Sequence, residues 1–400
     1  MNMNLKLYKK ICGMFLLFSL TVLYGNISRL YAEKQKLFTN DAPKKNSAQN
    51  EESEKVWNLL ERAKREYDAG NLSETVVLAN KALDTQQNYY YSIKEKIKKV
   101  LRWKSIAAVG DKMSDVYNKL YALEQYDTCK LFDCIFAERS MKSLSNSMVQ
   151  LFAYLDTKAE SLPESAYLIG KSFQAQGEFI QAKNYYNRAW KQKEHLHDSD
   201  EKLQILYSLA EVSELSGETA HAEKFLLAVL ASDPVYGNKN KTTSQLRSMI
   251  KNLSTNQDTK KFFLLYRHDG STVLAAAQRL TEIYYTAGEY EKALEVSAFA
   301  VCIITSELEQ YAKLKNFLYE YTSLNDLLLQ STGDITVMNW AQERNCWHSY
   351  LRFADILYHV HLTAQAEDMY ACIASSIPDY AIAQRALYEI QKIHSIPKNE

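Results

Sequence analysis

Small and large apolar positions recur in one fixed arrangement around four of the eleven glycines, Gly70, Gly177, Gly217 and Gly288. Seven residues before each stands a small residue: Ala63, Gly170, Ala210 and Thr281. Five residues after come Thr75, Ala182, Ala222 and Ala293, and twelve after come Ala82, Ala189, Val229 and Ala300. Large apolar residues fill many of the slots between, as Phe173, Phe179 and Tyr186 do, or Tyr284 and Tyr290. The spacing predicts a helix hairpin. Glycine ends the first helix where a positive φ is cheap, small residues let two antiparallel helices approach, and the aromatics fill the groove beside them. A fifth copy carries His361 in the glycine slot and keeps Ala354, Leu357, Ala366, Tyr370 and Pro378 at matching offsets.

The intervals between these turns predict further helices. Gly177 to Gly217 is 40 residues, one unit plus an insertion that includes His195 to Asp200. Gly70 to Gly177 is 107, Gly217 to Gly288 is 71, and Gly288 to His361 is 73. Intervals of two or three units leave room for degenerate helix pairs at 111–140, at 242–267 and across Ser306–Leu329. Tyr380–Ile393 reads as a terminal helix that caps a stack.

The clearest copies, Ala166–Trp190, Leu206–Pro234 and Ala277–Val301, resemble the tetratricopeptide repeat (TPR), a 34-residue helix–turn–helix unit. The family's early Trp is missing from all three, so the likeness rests on the small residues and the aromatics. It implies an all-α, right-handed α-solenoid of antiparallel helix hairpins over residues 55–394, with a C-terminal capping helix. In such proteins the first helix of each pair lines a concave face that holds protein partners.

Composition agrees with long helices and few turns: 11 Gly and 5 Pro in 400 residues. Hydrophobic content of 46% suffices for a continuous core. Lysine and arginine number 48 against 48 acids, so no electrostatic footprint for nucleic acid appears. The most basic run (Lys94, Lys96, Lys98, Lys99, Arg102, Lys104) spreads around a helix and reads as a solvated surface.

Residues 1–32 look like an address. Lys6, Lys9 and Lys10 precede an apolar run from Ile11 to Gly25, the arrangement of a secretory signal, with a cleavage point after Ala32 or, uncleaved, a membrane anchor. Cleavage removes Lys6, Lys9, Lys10 and Arg29 and no acid, leaving 44 basic against 48 acidic residues. Residues 33–54 are polar and carry almost no large apolar side chains, which predicts a disordered linker. This address implies export, to a bacterial periplasm or to the outer side of an inner membrane.

Catalytic and metal chemistry leave little trace. The five remaining cysteines are odd in number and scattered, against a disulfide framework, and Cys302 reads as core. Cys129 and Cys134 are poorly aligned for a bridge. His195, His197, Asp198 and Asp200 match no zinc spacing, and neither do His359 and His361. No phosphate loop, nucleophile elbow or His-Glu-x-x-His motif occurs, and no cofactor is implied. The expected first helices instead carry one recurrent feature. Tyr67, Tyr285 and Tyr358 stand three residues before their turns, and Tyr167 and Tyr207 stand ten before theirs. Lys64, Lys171, Glu211 and Glu282 lie six before, where Asp355 also falls, and no Asn is present to complete a carboxylate clamp. These nine residues (Lys64, Tyr67, Tyr167, Lys171, Tyr207, Glu211, Glu282, Tyr285, Tyr358) form the candidate partner-binding set, although aromatic stripes at helical spacing also serve as core. The expected function is a non-enzymatic scaffold of the cell envelope that holds a protein or peptide. A small-molecule-binding accessory of a transport system is the alternative, followed by a helical carbohydrate-active enzyme.

Overall fold

A computed structural model describes residues 47–100, 141–196, 198–237 and 271–395. The signal-like residues 1–32, the intervals 111–140 and 242–267, His197 and the Cys129–Cys134 pair lie outside the described residues. Every regular element described is helical, and among these helices none is long and apolar enough to cross a membrane. Helix α1 starts at Ser47 (Ser47–Asp68), so residues 47–54 of the stretch expected as a disordered linker are helical.

The array expected over 55–394 falls into two compact units: residues 1–58 with 88–155, and residues 59–87 with 156–400. In the first, the C-terminal half of α2 (Leu72–Val100) meets α3 (Met141–Glu160), with Leu151 and Leu155 buried and the Lys94 ammonium over the Phe152 ring at 5.7 Å. The second unit carries the candidate face.

There the hairpins form as the glycine pattern predicts. The first two pairs are α1 with α2 and α4 (Pro163–Ala175) with α5 (Phe179–Lys191). Next come α6 (Ser199–Leu215) with α7 (Thr219–Ala231), then α8 (Ser271–Thr286) with α9 (Tyr290–Lys315). All four turn glycines have positive φ, between 74° and 83°. Each turn makes the same pair of backbone bonds. At Gly177 the glycine N–H donates to Gln174 O (3.0 Å) and the next N–H donates to Phe173 O (2.9 Å). The second of these closes a Schellman motif, which satisfies carbonyls that would otherwise end the helix unpaired. The small residues at the marked offsets are buried, from Ala63, Thr75 and Ala82 through Ala210, Ala222 and Val229 to Thr281, Ala293 and Ala300. Gly170 shows why they must be small: a Cβ there would lie 2.6 Å from the ring of Tyr186 on the partner helix.

Between α9 and the fifth hairpin lie two short helices, α10 (Leu324–Thr332) and α11 (Ile335–Glu343). The helix pair expected across Ser306–Leu329 is made of the ends of two longer elements. That stretch is the end of α9, a non-helical connection and the start of α10, which Ser323 caps by accepting from the Asp326 N–H at 3.1 Å. The reason is that Ser297–Ser306 are buried all round α9, which packs against α8, α10 and α12 and so runs on as one rod. The fifth hairpin, α12 (Cys346–His359) and α13 (Thr363–Ser376), turns at His361 with φ 64° and repeats the Schellman bond, Leu362 N–H to Leu357 O at 2.9 Å. Helix α14 (Tyr380–Ser395) covers α13 as the terminal cap, started by Asp379, whose side chain accepts the N–H groups of Ala381 and Ile382.

Among the described residues, the marked hairpins bond to one another directly. Ser165 on α4 donates to Ala79 O on α2 at 2.7 Å, Tyr284 on α8 donates to Glu223 on α7 at 2.7 Å, and Gln278 on α8 donates to Ser349 on α12 at 2.8 Å. Marked hairpins are thus direct neighbours in the row. Two substitutions test this turn and crossing chemistry. Gly170→Ala should cost about 2 kcal/mol by overpacking against Tyr186. His361→Gly should stabilise by about 0.5–1 kcal/mol, because a left-handed residue other than glycine costs about 1–2 kcal/mol and the added chain entropy offsets part of the gain. Thermal melting of the two variants beside the native chain checks both signs.

Candidate binding face

The predicted set lies on the first helices α1, α4, α6, α8 and α12, and all nine of its residues are in the second unit. Direct contact of neighbouring hairpins brings its members together across long sequence gaps. Between α1 and α4 the Lys171 ammonium sits 4.2 Å from the Tyr67 ring centroid and 5.9 Å from that of Tyr167, as a cation held over two aromatic faces. Burial lowers the Lys171 pKa, as does the positive charge of Lys64, while Asp68 and Glu211 work the other way. Lys64 is exposed beside it.

Tyr167 is half core. Its ring lies 5.7 Å from the fully buried Tyr186, its hydroxyl is 3.4 Å from Ser208 Oγ on α6, and burial pushes its pKa up to about 12. Tyr207 is likewise raised to about 12 by burial and the charge of Glu211. Glu211 also accepts from Gln174 Nε2 of α4 at 3.2 Å. The tyrosines therefore join neighbouring helices with one side and present the other at the face.

Farther along, charges of opposite sign alternate from helix to helix. Arg279 of α8 donates to Glu214 of α6 at 2.7 Å. Arg352 of α12 donates through Nε to Glu282 of α8 at 2.8 Å and through Nη1 to Asp355 at 3.3 Å, while its guanidinium lies 4.0 Å from the Tyr285 ring centroid. Asp355 is buried, and it accepts from Tyr370 at 2.7 Å and from Arg385 of the capping helix at 3.1 Å. The Asp355 position thus serves the cap and is not an open clamp residue. Burial raises its pKa, against the Tyr370 hydrogen bond and the two arginines. For Glu282 burial works upward too, but the neighbouring His348 and the hydrogen-bonded Arg352 together win and leave it below the usual carboxylate range.

Tyr285 points its hydroxyl at His359 Nε2 (3.3 Å), and His359 stacks on Tyr290 with ring centroids 4.3 Å apart. Tyr358 stands beyond this group, with the Lys392 ammonium 5.8 Å from its ring. Lys64 and Tyr358 thus mark the ends of the row. His195 sits in a short 3₁₀ turn, and Asp198 caps α6 by accepting the Asp200 N–H at 2.9 Å. Cys302 is buried in the core as expected.

The residues missed by sequence are Gln174, Glu214, Arg279 and Arg352. Their signal was present: Arg279 and Arg352 both stand nine before their turns, and Gln174 and Glu214 three before theirs. Offsets of nine, six and three share one helix face, so the charged row extends the tyrosine row on the same side.

Fold and face define a helical-repeat protein built of TPR-like hairpins. The chain belongs to the same family as an uncharacterized protein of Treponema pallidum (strain Nichols), with which it shares 32% identity over 357 residues, 88% of this chain and 94% of the relative. No family model matches the sequence. Among solved structures, the chain is similar to a Rap protein complexed with competence and sporulation factor (16% identity, TM-score 0.20, 78% of this chain and 98% of that one). It is also similar to the TPR domain of P58(IPK) (11% identity, TM-score 0.19, 86% and 99%). Superpositions this distant assign nothing to the face, which rests on its own geometry.

Arg352 is the joint of the row, and its removal leaves Glu282 and the buried Asp355 short of a partner. Arg352→Met should lower stability by about 2 kcal/mol at pH 7, below the range for a fully buried pair because Glu282 is partly exposed. The deficit should shrink between pH 7 and pH 4. As pH falls, Asp355, whose folded-state pKa is raised, takes up a proton first, and a neutral carboxyl no longer needs the cation. Urea unfolding at the two pH values measures the difference.

Proposed function

We propose that this protein is a non-enzymatic scaffold or adaptor that holds a protein partner along the face of its first helices, and that it does so after export, at a bacterial cell envelope. The single observation that carries the reading is the continuous row of tyrosine edges and alternating charges running from Lys64 to Tyr358 across five neighbouring helices. Tyrosine offers rigid contact area with a hydrogen-bonding tip at low entropic cost. The alternating charges give register to an extended segment lying across the helices, since a like charge opposite like charge is penalised. Residues 1–32, with three lysines ahead of an apolar run, support export.

The test is an in-cell crosslinking pull-down with the tagged full-length chain. One variant carries Lys64→Glu and Lys171→Gln on the first helices; a control carries Arg188→Glu and Lys224→Glu, exposed on the second helices. An envelope protein recovered with the native chain and the control, and reduced at least tenfold with the first-helix variant at an unchanged melting temperature, is the expected result. The same recovery from all three places the working surface elsewhere and contradicts the proposal.

A further inference from the structure

A cleft of about 270 Å³ opens in the second unit where α6, α8, α9 and α12 meet, with Tyr207, Arg279, Glu282, Asn345, His348 and Arg352 among its lining residues. Its floor is fixed by Gln278, whose Nε2 donates to Arg344 O at 2.7 Å and to Ser349 Oγ at 2.8 Å. Two charged groups in it have valences left over. Arg279 uses Nε on Glu214, and among the described residues its two terminal nitrogens have no partner. Glu282 receives both Arg352 and His348 on Oε1, at 2.8 and 3.7 Å, which leaves Oε2 without a protein partner among the described residues, and it is not a buried atom. Residues 279 and 282 are one turn apart on the same face of α8, so a free donor fork and a free carboxylate oxygen stand side by side.

A third, independent feature lies on the rim. Asn345 holds a left-handed conformation (φ 53°) just ahead of α12, yet its side chain makes no cap bond to that helix. Strained residues of this kind persist where surrounding structure imposes them, and they collect at ligand sites. The exposed Asn345 side-chain amide makes no hydrogen bond among the described residues and belongs to the cleft lining.

The charge balance selects the ligand. The cationic lining groups Arg279 and Arg352 stand with three carboxylates in direct contact, Glu214, Glu282 and Asp355. A simple anion meets those carboxylates, and a simple cation meets the guanidinium groups. A molecule carrying both charges satisfies both free valences, through charge-assisted hydrogen bonds. The cleft is large enough for a small molecule.

We propose that the cleft is a binding site for a small zwitterion bearing an ammonium and a carboxylate, a free α-amino acid or a dipeptide. The ammonium donates to Glu282 Oε2, the carboxylate accepts from the terminal nitrogens of Arg279, and the Asn345 amide closes the mouth. The cleft shares Tyr207, Arg279, Glu282 and Arg352 with the row proposed to hold a partner, but the titration below uses the purified chain alone, so failure of the pull-down leaves it standing.

The test is calorimetric titration of the full-length protein with the free amino acids and a set of glycine-containing dipeptides, beside their N-acetyl and C-amide derivatives. At least one zwitterion should saturate one site per chain, and whether amino acid or dipeptide binds tighter identifies the class. Its N-acetyl and C-amide forms should bind at least tenfold more weakly. Arg279→Gln and Glu282→Gln should each lose at least tenfold in affinity. Because Glu282→Gln also loosens Arg352, Asn345→Gly serves as a variant whose backbone is relaxed; it should melt no lower than the native chain and bind at least threefold more weakly. Absence of heat from every compound overturns the proposal, as does equal binding of the capped forms or undiminished binding by Arg279→Gln.

Discussion

The left-handed residue at each hairpin turn is the constraint on which the second unit depends. Gly70, Gly177, Gly217, Gly288 and His361 all adopt positive φ, and each donates to the carbonyl three residues back while the next N–H reaches five back. This closure fixes the phase of the second helix relative to the first. Once phase is fixed, the buried positions follow: seven before the turn, five after and twelve after always meet at the crossing. A chain with the same apolar content but a different turn residue would have no reason to place Gly170 under the ring of Tyr186.

The same closure determines what remains outside the core. Positions nine, six and three before each turn emerge on one side of the first helix, and direct contact between marked hairpins sets these positions beside their counterparts. Tyr67 thereby meets Lys171, Glu214 meets Arg279, and Glu282 meets Arg352, though each pair is far apart in sequence. Most of these contacts are half-exposed, so individually each contributes modestly. Asp355 is the exception. Buried between two arginines and Tyr370, it couples the last hairpin to the capping helix and ends the row.

Much of this was legible in the residues. The hairpins, their turns and even the substitution of His361 for glycine follow from offsets alone, because a left-handed turn and a close helix crossing tolerate so few residue types. The candidate tyrosines and lysines were chosen because they recur at fixed offsets, and the fold sets them on neighbouring first helices. Two things were not legible. The intervals left room for further helix pairs, but spacing along a chain does not say which elements touch; Gln278 and Glu282 bond directly to α12. Arg279 and Arg352 were passed over because an arginine on a helix is ordinary until the opposite carboxylate is known. The all-round burial of Ser297–Ser306 hid in a similar way: an apolar run shows that it is buried, not that it continues as one rod into Lys315.

The claim beneath all of this is that α8 and α12 are immediate neighbours whose facing side chains make one surface. A double-mutant cycle on Glu282 and Arg352, with Glu282→Gln, Arg352→Met and the double variant unfolded in urea, measures it most directly. The account predicts a coupling energy of about 1–2 kcal/mol between residues 70 positions apart in sequence. Additivity within about 0.3 kcal/mol would mean that the two helices do not share a face, and the row from Lys64 to Tyr358 would break at its centre.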